Sequence, residues 1–126
     1  MEKQPVARHI PVSEPLLGGN EEKYVLECIR SSWISSLGKF IPQFEEGFAK
    51  FCGAKYGVGV INGTAALQLA LTSLCIKNGD EVLLLASTCV AVPERVLWLD
   101  AAPVYVDCLL DFTIDPEDLK RKISGI

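Results

Sequence analysis

Residues 79–107, "GDEVLLLASTCVAVPERVLWLDAAPVYVD", decide how this chain folds. The run "EVLLLA" (81–86) is apolar without alternation, the pattern of a strand covered on both faces. Ala91 to Leu99 reads as a helix. Pro93 is tolerated there only in the first turn, where its missing N–H costs no helical hydrogen bond. "PVYVD" (103–107) is another strand. Strand, helix and strand in this order predict a βαβ unit, whose strands run parallel.

Outward from that stretch the alternation continues. "YGVGVI" (56–61) reads as a further buried strand, and Thr64 to Cys75 as a helix ended by Asn78-Gly79. Downstream, Asp115 is a natural N-cap, with Pro116 at the first helical position and Glu117 and Asp118 close behind. Upstream, residues 1–19 are proline-bearing and aperiodic and read as an extended arm. Asn20 is placed to cap a helix whose first turn holds Glu21 and Glu22, where the helix dipole favours negative charge. Tyr24, Val25, Cys28 and Ile29 recur at helical spacing. Pro42 suits the first position of the next helix. Phe44, Phe48 and Phe51 share one face of it, and Gly53 stops it.

The chain has 126 residues and a net charge of −4, from 12 basic and 16 acidic side chains. That length is enough for one ordinary domain, and the charge argues against a nucleic-acid surface, which needs clustered Lys and Arg. The five cysteines, Cys28, Cys52, Cys75, Cys89 and Cys108, form no C-x-x-C pair, and His9 is the single histidine. This is poor metal-ligand spacing, so no metal site is assigned, and the scattered thiols suit a reducing compartment. The N-terminus lacks the apolar core of a signal peptide, and no apolar run is long enough to span a bilayer. A cytoplasmic protein, with no membrane partner, is the expectation.

The turn at "NGTAALQLAL" (62–71) is the candidate site. A strand leading directly into a helix leaves the first helical N–H groups unpaired, next to the positive end of the helix dipole. Such an end accepts anions, phosphate above all. Gly63 permits close approach, Thr64 adds a hydroxyl, and Ala65 and Ala66 offer N–H groups without bulk. The plainer alternative is that Asn62 and Thr64 cap a core helix. The turn is neither a Walker loop nor G-x-G-x-x-G.

Four segments, "FEEGFAKFCGAKYGV", "NGTAALQLAL", "GDEVLL" and "APVYVD…TIDPEDL", stand in the order and at the spacing of one family. From about Pro11 onward the chain closely resembles the start of the sugar aminotransferases of the DegT/DnrJ/EryC1/StrS family, which are fold-type I enzymes using pyridoxal 5′-phosphate. The resemblance implies an α/β fold, specifically an incomplete three-layer αβα large domain with a mostly parallel sheet. Residues 20–126 would form the N-terminal portion of that cofactor-binding domain. It implies that Thr64 and Ala65 contact the cofactor phosphate, with Gly63 as the cofactor-binding residue that permits close approach. It places Cys89 where the family commonly stacks an aromatic ring on the pyridine, and a thiol packs there without stacking. It puts Trp33 on the substrate side, although a core tryptophan is an equal reading of that residue. Ser32 stands where the family often has glycine.

The same resemblance implies what the chain does not contain. A lysine that bonds the cofactor, a carboxylate for the pyridinium nitrogen and a further phosphate contact all lie in the family beyond the part that aligns with Ile126. No catalytic residue is therefore assigned. Asp80 and Asp107 look like ring partners, but both read as turn and strand-end residues. The family's first strand is separated from the next two by later strands, so "YGVGVI" is expected to lack its sheet neighbours. With Met1 at its start and "KISGI" at its end, the chain reads as the N-terminal part of a longer enzyme, inactive alone. The whole enzyme would be a homodimer moving an amino group from an amino-acid donor, glutamate, to a keto-sugar nucleotide. Two other readings stand beside it. One is a non-catalytic binding module that pairs with a full-length homologue. The other is a dinucleotide-binding domain, which lacks its glycine fingerprint.

Overall fold

The computed structural model describes residues 10–124. The chain divides into two units, ending and beginning at Val58 and Gly59. The first holds helices α1 (Glu21–Ser31) and α2 (Phe40–Phe51). The second holds α3 (Gly63–Ser73), β1 (Glu81–Leu85), α4 (Ala91–Leu97), β2 (Ala102–Val106) and α5 (Pro116–Ser124). Residues 10–19 form no helix or strand, and the remainder of the expected arm lies outside the described residues.

The second unit is built around the βαβ unit predicted from residues 79–107. β1 and β2 pair in parallel, in register from Glu81↔Ala102 to Leu85↔Val106. The crossover is α4, and Pro93 sits in its first turn as the sequence requires. Leu84 of β1, Val96 of α4 and Ala101 form the buried core, and Leu71, Ile76, Val82 and Val92 pack against it. Val106 is fully buried on β2. Burying side chains of this size contributes about 1.5–3 kcal/mol each, so these few residues hold the unit.

Both helix ends around the core follow from local chemistry. α3 stops two residues sooner than expected. Cys75 takes a left-handed conformation (φ 61°) in place of a last helical turn. Its N–H bonds the Thr72 carbonyl at 2.9 Å, and the Ile76 N–H bonds the Leu71 carbonyl at 3.2 Å. That is a Schellman ending, in which Ile76 and Leu71 also meet in the core. α5 begins as predicted. The Asp115 carboxylate accepts the Glu117 N–H at 2.9 Å.

Three expectations fail for identifiable reasons. "YGVGVI" is neither a strand nor buried. Residues 56–61 carry no sheet pairing, and Ile61 is 91% exposed. A strand needs a neighbour, and the sheet among the described residues has only two members. Asn20 precedes α1 but makes no side-chain cap. The Glu21 carboxylate instead reaches back to the Gly19 N–H at 2.8 Å. Pro42 is the third residue of α2 rather than its first, still within the turn whose N–H groups have no helical acceptor.

In the first unit α1 and α2 make aromatic contacts without closing a core. Tyr24 and Phe40 rings lie 4.9 Å apart, and Phe44, Phe48 and Phe51 form the expected ladder at 5.6 and 6.4 Å. Yet Ala49 is the one buried residue of α2, and α1 has none. Gly53 ends α2 in a left-handed conformation, φ 67°. Gly57 is pressed against α2 so closely that a Cβ there would lie 2.5 Å from the Glu45 carbonyl oxygen.

Candidate functional site

The site is the turn into α3. Asn62 is extended (φ −164°, ψ 174°), and its side chain accepts the Ala65 N–H at 2.9 Å. Its carbonyl accepts the Ala66 N–H at 3.1 Å. Asn62 is thus a working N-cap, the geometry that asparagine favours. The cap leaves the N–H groups of Gly63 and Thr64 at the open end of the helix, where no preceding turn supplies acceptors. A Cβ built on Gly63 would meet nothing within 4 Å, so a ligand can reach the backbone there. Ala65, expected to offer its N–H, has already given it to Asn62.

The topology sets this turn beside the ends of the strands. α3 leads into β1 through a short connection and packs against α4. α4 must return from the end of β1 to the start of β2, so it runs antiparallel to both strands. An eleven-residue helix rises about 16 Å and a five-residue strand about 17 Å. The α3 N-terminus therefore reaches the level at which β1 ends, the side on which ligands gather in open α/β sheets.

Cys89 lies on that same side, in the 86–90 connection from β1 to α4. Its thiol is free and exposed, and its carbonyl accepts the Val92 N–H at 2.9 Å, fixing the start of α4. Trp33 belongs to the first unit. It is 52% exposed, so it is not a core tryptophan in this chain. It lines an open groove of about 740 Å³ with Tyr24, Ile29, Ile34, Phe40 and Phe44.

The carboxylates that resemble ring partners are held by backbone. Asp80 accepts the Lys77 N–H at 2.9 Å, and Asp107 accepts the Cys108 N–H at 2.8 Å. The carboxylate that sequence reasoning undervalued is Asp118. Nearly buried, it accepts the Asp107 N–H at 2.8 Å and pairs with Arg121 at 3.0 Å and Lys122 at 3.1 Å. The Asp107 N–H first, then Lys122, hold its pKa down at about 2. Its role is to dock α5 on β2. Its spacing to Lys122, four residues on, was the one visible signal.

For the cofactor implied by the family, the fit is partial. The open helix end and the unfilled space at Gly63 suit the phosphate. Among the described residues, nothing at the turn supplies an aromatic ring or an available carboxylate for the pyridine.

A parallel βαβ unit, preceded by a helix whose capped start opens beside the strand ends, places the chain in the α/β class that includes the pyridoxal-phosphate-dependent aminotransferases. Comparison with known sequences makes the membership specific. The profile of the DegT/DnrJ/EryC1/StrS aminotransferase family matches residues 15–125, and the chain belongs to that family. It is 45% identical over 116 residues to GDP-perosamine synthase of Vibrio cholerae, covering 91% of this chain and 32% of the relative. The aminotransferase from Psychrobacter cryohalolentis superposes with a TM-score of 0.81 at 32% identity, over 88% of this chain and 29% of that one. GDP-4-keto-6-deoxy-D-mannose-3-dehydratase of E. coli, solved with hydrated PLP bound, superposes with a TM-score of 0.81 at 26% identity, over 90% and 31%. The chain therefore spans about a third of the length of the relatives it matches. Among the described residues no helix is long and apolar enough to cross a membrane.

Proposed function

We propose that the chain is the phosphate-holding part of a cytoplasmic aminotransferase acting on a GDP-linked keto sugar, with glutamate as amino donor and a homodimer as the working assembly of the whole enzyme. The observation that carries this reading is the Asn62 turn, open at Gly63 and Thr64, in a chain 45% identical to a GDP-perosamine synthase.

In this reading the Gly63 and Thr64 N–H groups and the Thr64 hydroxyl hold the cofactor phosphate. Ala65 keeps the turn free of bulk while its N–H secures the Asn62 cap. The Cys89 thiol packs against the ring face, and Trp33 lies on the substrate side. The bound cofactor supplies a ring that withdraws electrons from the reacting carbon. The chain's own residues bind and orient it. They do not move the proton, because neither a lysine nor a free carboxylate stands at the turn.

The 126-residue chain alone is therefore inactive. Mixed with pyridoxal phosphate, glutamate and a GDP-linked 4-keto sugar, it is expected to show no amino transfer and no absorption band of a lysine-bound cofactor. Turnover would contradict this. The likeness to the dehydratase supports a second reading, in which the same phosphate turn serves an enzyme that removes water from the sugar. The higher identity to the synthase favours transfer.

A further inference from the structure

The chain carries two Asn-Gly pairs, Asn62-Gly63 and Asn78-Gly79. Asparagine is chemically labile, and most so before glycine, which has no side chain to hinder attack by its own backbone nitrogen. Both pairs are exposed. A Cβ on either glycine would meet nothing within 4 Å. Access therefore does not separate the two pairs, but hydrogen bonding does.

Ring closure needs the glycine nitrogen to swing onto the asparagine Cγ. At Asn62 both partners are held. The side-chain oxygen on Cγ accepts the Ala65 N–H at 2.9 Å. The Asn62 carbonyl accepts the Ala66 N–H at 3.1 Å, which fixes the peptide plane that contains the Gly63 nitrogen. At Asn78 neither partner is held. Residues 77–80 form a turn closed by the Asp80 N–H on the Lys77 carbonyl at 3.1 Å and by the Lys77 N–H on the Asp80 carboxylate at 2.9 Å. Gly79, at φ 92°, supplies the positive φ of a type II turn. These bonds clamp the ends of the turn. Among the described residues, none bonds the Asn78 side chain, the Asn78 carbonyl or the Gly79 N–H.

We propose that Asn78 is a site of spontaneous deamidation in the folded chain, and that the α3 cap protects Asn62 from the same reaction. The Gly79 nitrogen attacks Cγ of Asn78. The N–Cγ bond forms, the Cγ–Nδ2 bond breaks, and Nδ2 leaves as ammonia with the proton that Gly79 gives up. Water then opens the cyclic imide at either carbonyl. The product at position 78 is aspartate or its β-linked isomer. It adds a negative charge beside Asp80 and Glu81, and the isomer adds one backbone atom just before β1. The same reaction at position 62 would put a carboxylate on the turn into α3. The cap thus preserves that turn as well as shaping it, whether or not the turn holds a phosphate.

The test is to age the 126-residue chain in mildly alkaline buffer, with and without guanidinium, and to map the peptides by mass against an unaged control. Trypsin cuts after Lys55, Lys77 and Arg95, so the two pairs fall in separate peptides. In the folded chain Asn78 is expected to deamidate at least tenfold faster than Asn62. In denaturant the two rates should agree within a factor of about two, because the following residue is the same. Ala65→Pro removes the N–H that holds the Asn62 side chain, at a position in the first turn where proline is tolerated. It should speed Asn62 about fivefold, the population factor of one N-cap, and leave Asn78 unchanged. The wild-type ratio decides alone should that variant not fold. Equal rates in the folded chain, a faster Asn62, a tenfold difference that persists in denaturant, or a folded Ala65→Pro variant with an unmoved Asn62 rate would each overturn the proposal.

Discussion

Val96 and Val106 are 1% and 0% exposed in the second unit, whereas Phe44, Phe48 and Phe51 are 59%, 55% and 86% exposed in the first. Both regions carry well-patterned apolar residues. They differ in what the pattern meets. In the second unit β1, α4 and β2 follow one another within residues 81–106, so the apolar faces close on each other locally. In the first, α1 and α2 bury little beyond the Tyr24–Phe40 contact, and the aromatic ladder of α2 stays mostly exposed. Amphipathic pattern makes a helix, but only a facing surface makes a core.

Substitutions can break that contrast, and the largest effect belongs to the core. Leu84→Ala should cost about 2–5 kcal/mol and strip amide hydrogen-exchange protection from β1, α4 and β2 together. Retained protection would mean that these elements do not share one core. Gly57→Ala is next. Its new Cβ meets the Glu45 carbonyl, and such overpacking costs about 1–3 kcal/mol. The loss should appear as faster exchange in α2 while the second unit is unchanged. Asn62→Ala removes the α3 cap, worth about 1 kcal/mol, and frees the Ala65 N–H. Exchange should quicken in the first turn of α3, with the remainder of the unit intact.

Two smaller effects sharpen the comparison. The Asp118 pKa is lowered from 3.8 to about 2, so its contribution is fully present above about pH 4 and is lost as pH falls toward 2. α5 should release from β2 in that window, and Asp118→Asn should remove the pH dependence. Unchanged α5 exchange between pH 4 and 2 would contradict the docking role. Phe48→Ala, on the exposed ladder, should change the stability of the chain by no more than about 0.5 kcal/mol. A loss as large as that of Leu84→Ala would show that α2 has a covering surface after all.

The sequence was most legible where local chemistry suffices. The apolar run at 81–86, the proline in the first turn of α4, the Asp115 cap and the tight start of α3 at Asn62 all act within a few residues of themselves. Residues 56–61 read as a buried strand from their apolar run, but with the sheet neighbours absent, as the family resemblance implied, the run neither pairs nor buries. Cys75 misled because its left-handed ending is ordinarily given to glycine. The site was half legible. Gly63 and Thr64 open as the helix-end argument requires, but the commitment of the Ala65 N–H to Asn62 is a competition between two good acceptors, which the sequence does not rank. Trp33 as a core residue failed because nothing in its own unit encloses it. Asp118 looked like one of several acids in a first turn, and its distinction depends on the Asp107 N–H, eleven residues away in sequence.

The central claim is that the Asn62 turn holds a phosphate with the N–H groups of Gly63 and Thr64. The most direct test is a titration of the isotopically labelled chain with pyridoxal 5′-phosphate, following backbone amide resonances, with inorganic phosphate as a second titrant. The amides of Gly63 and Thr64 are expected to shift with both titrants. The amide of Ala65, bound to Asn62, should shift less, and Cys89 should respond only to the titrant that carries the ring. Amides that stay unmoved at Gly63 and Thr64, or that move chiefly in the first unit, would contradict the claim.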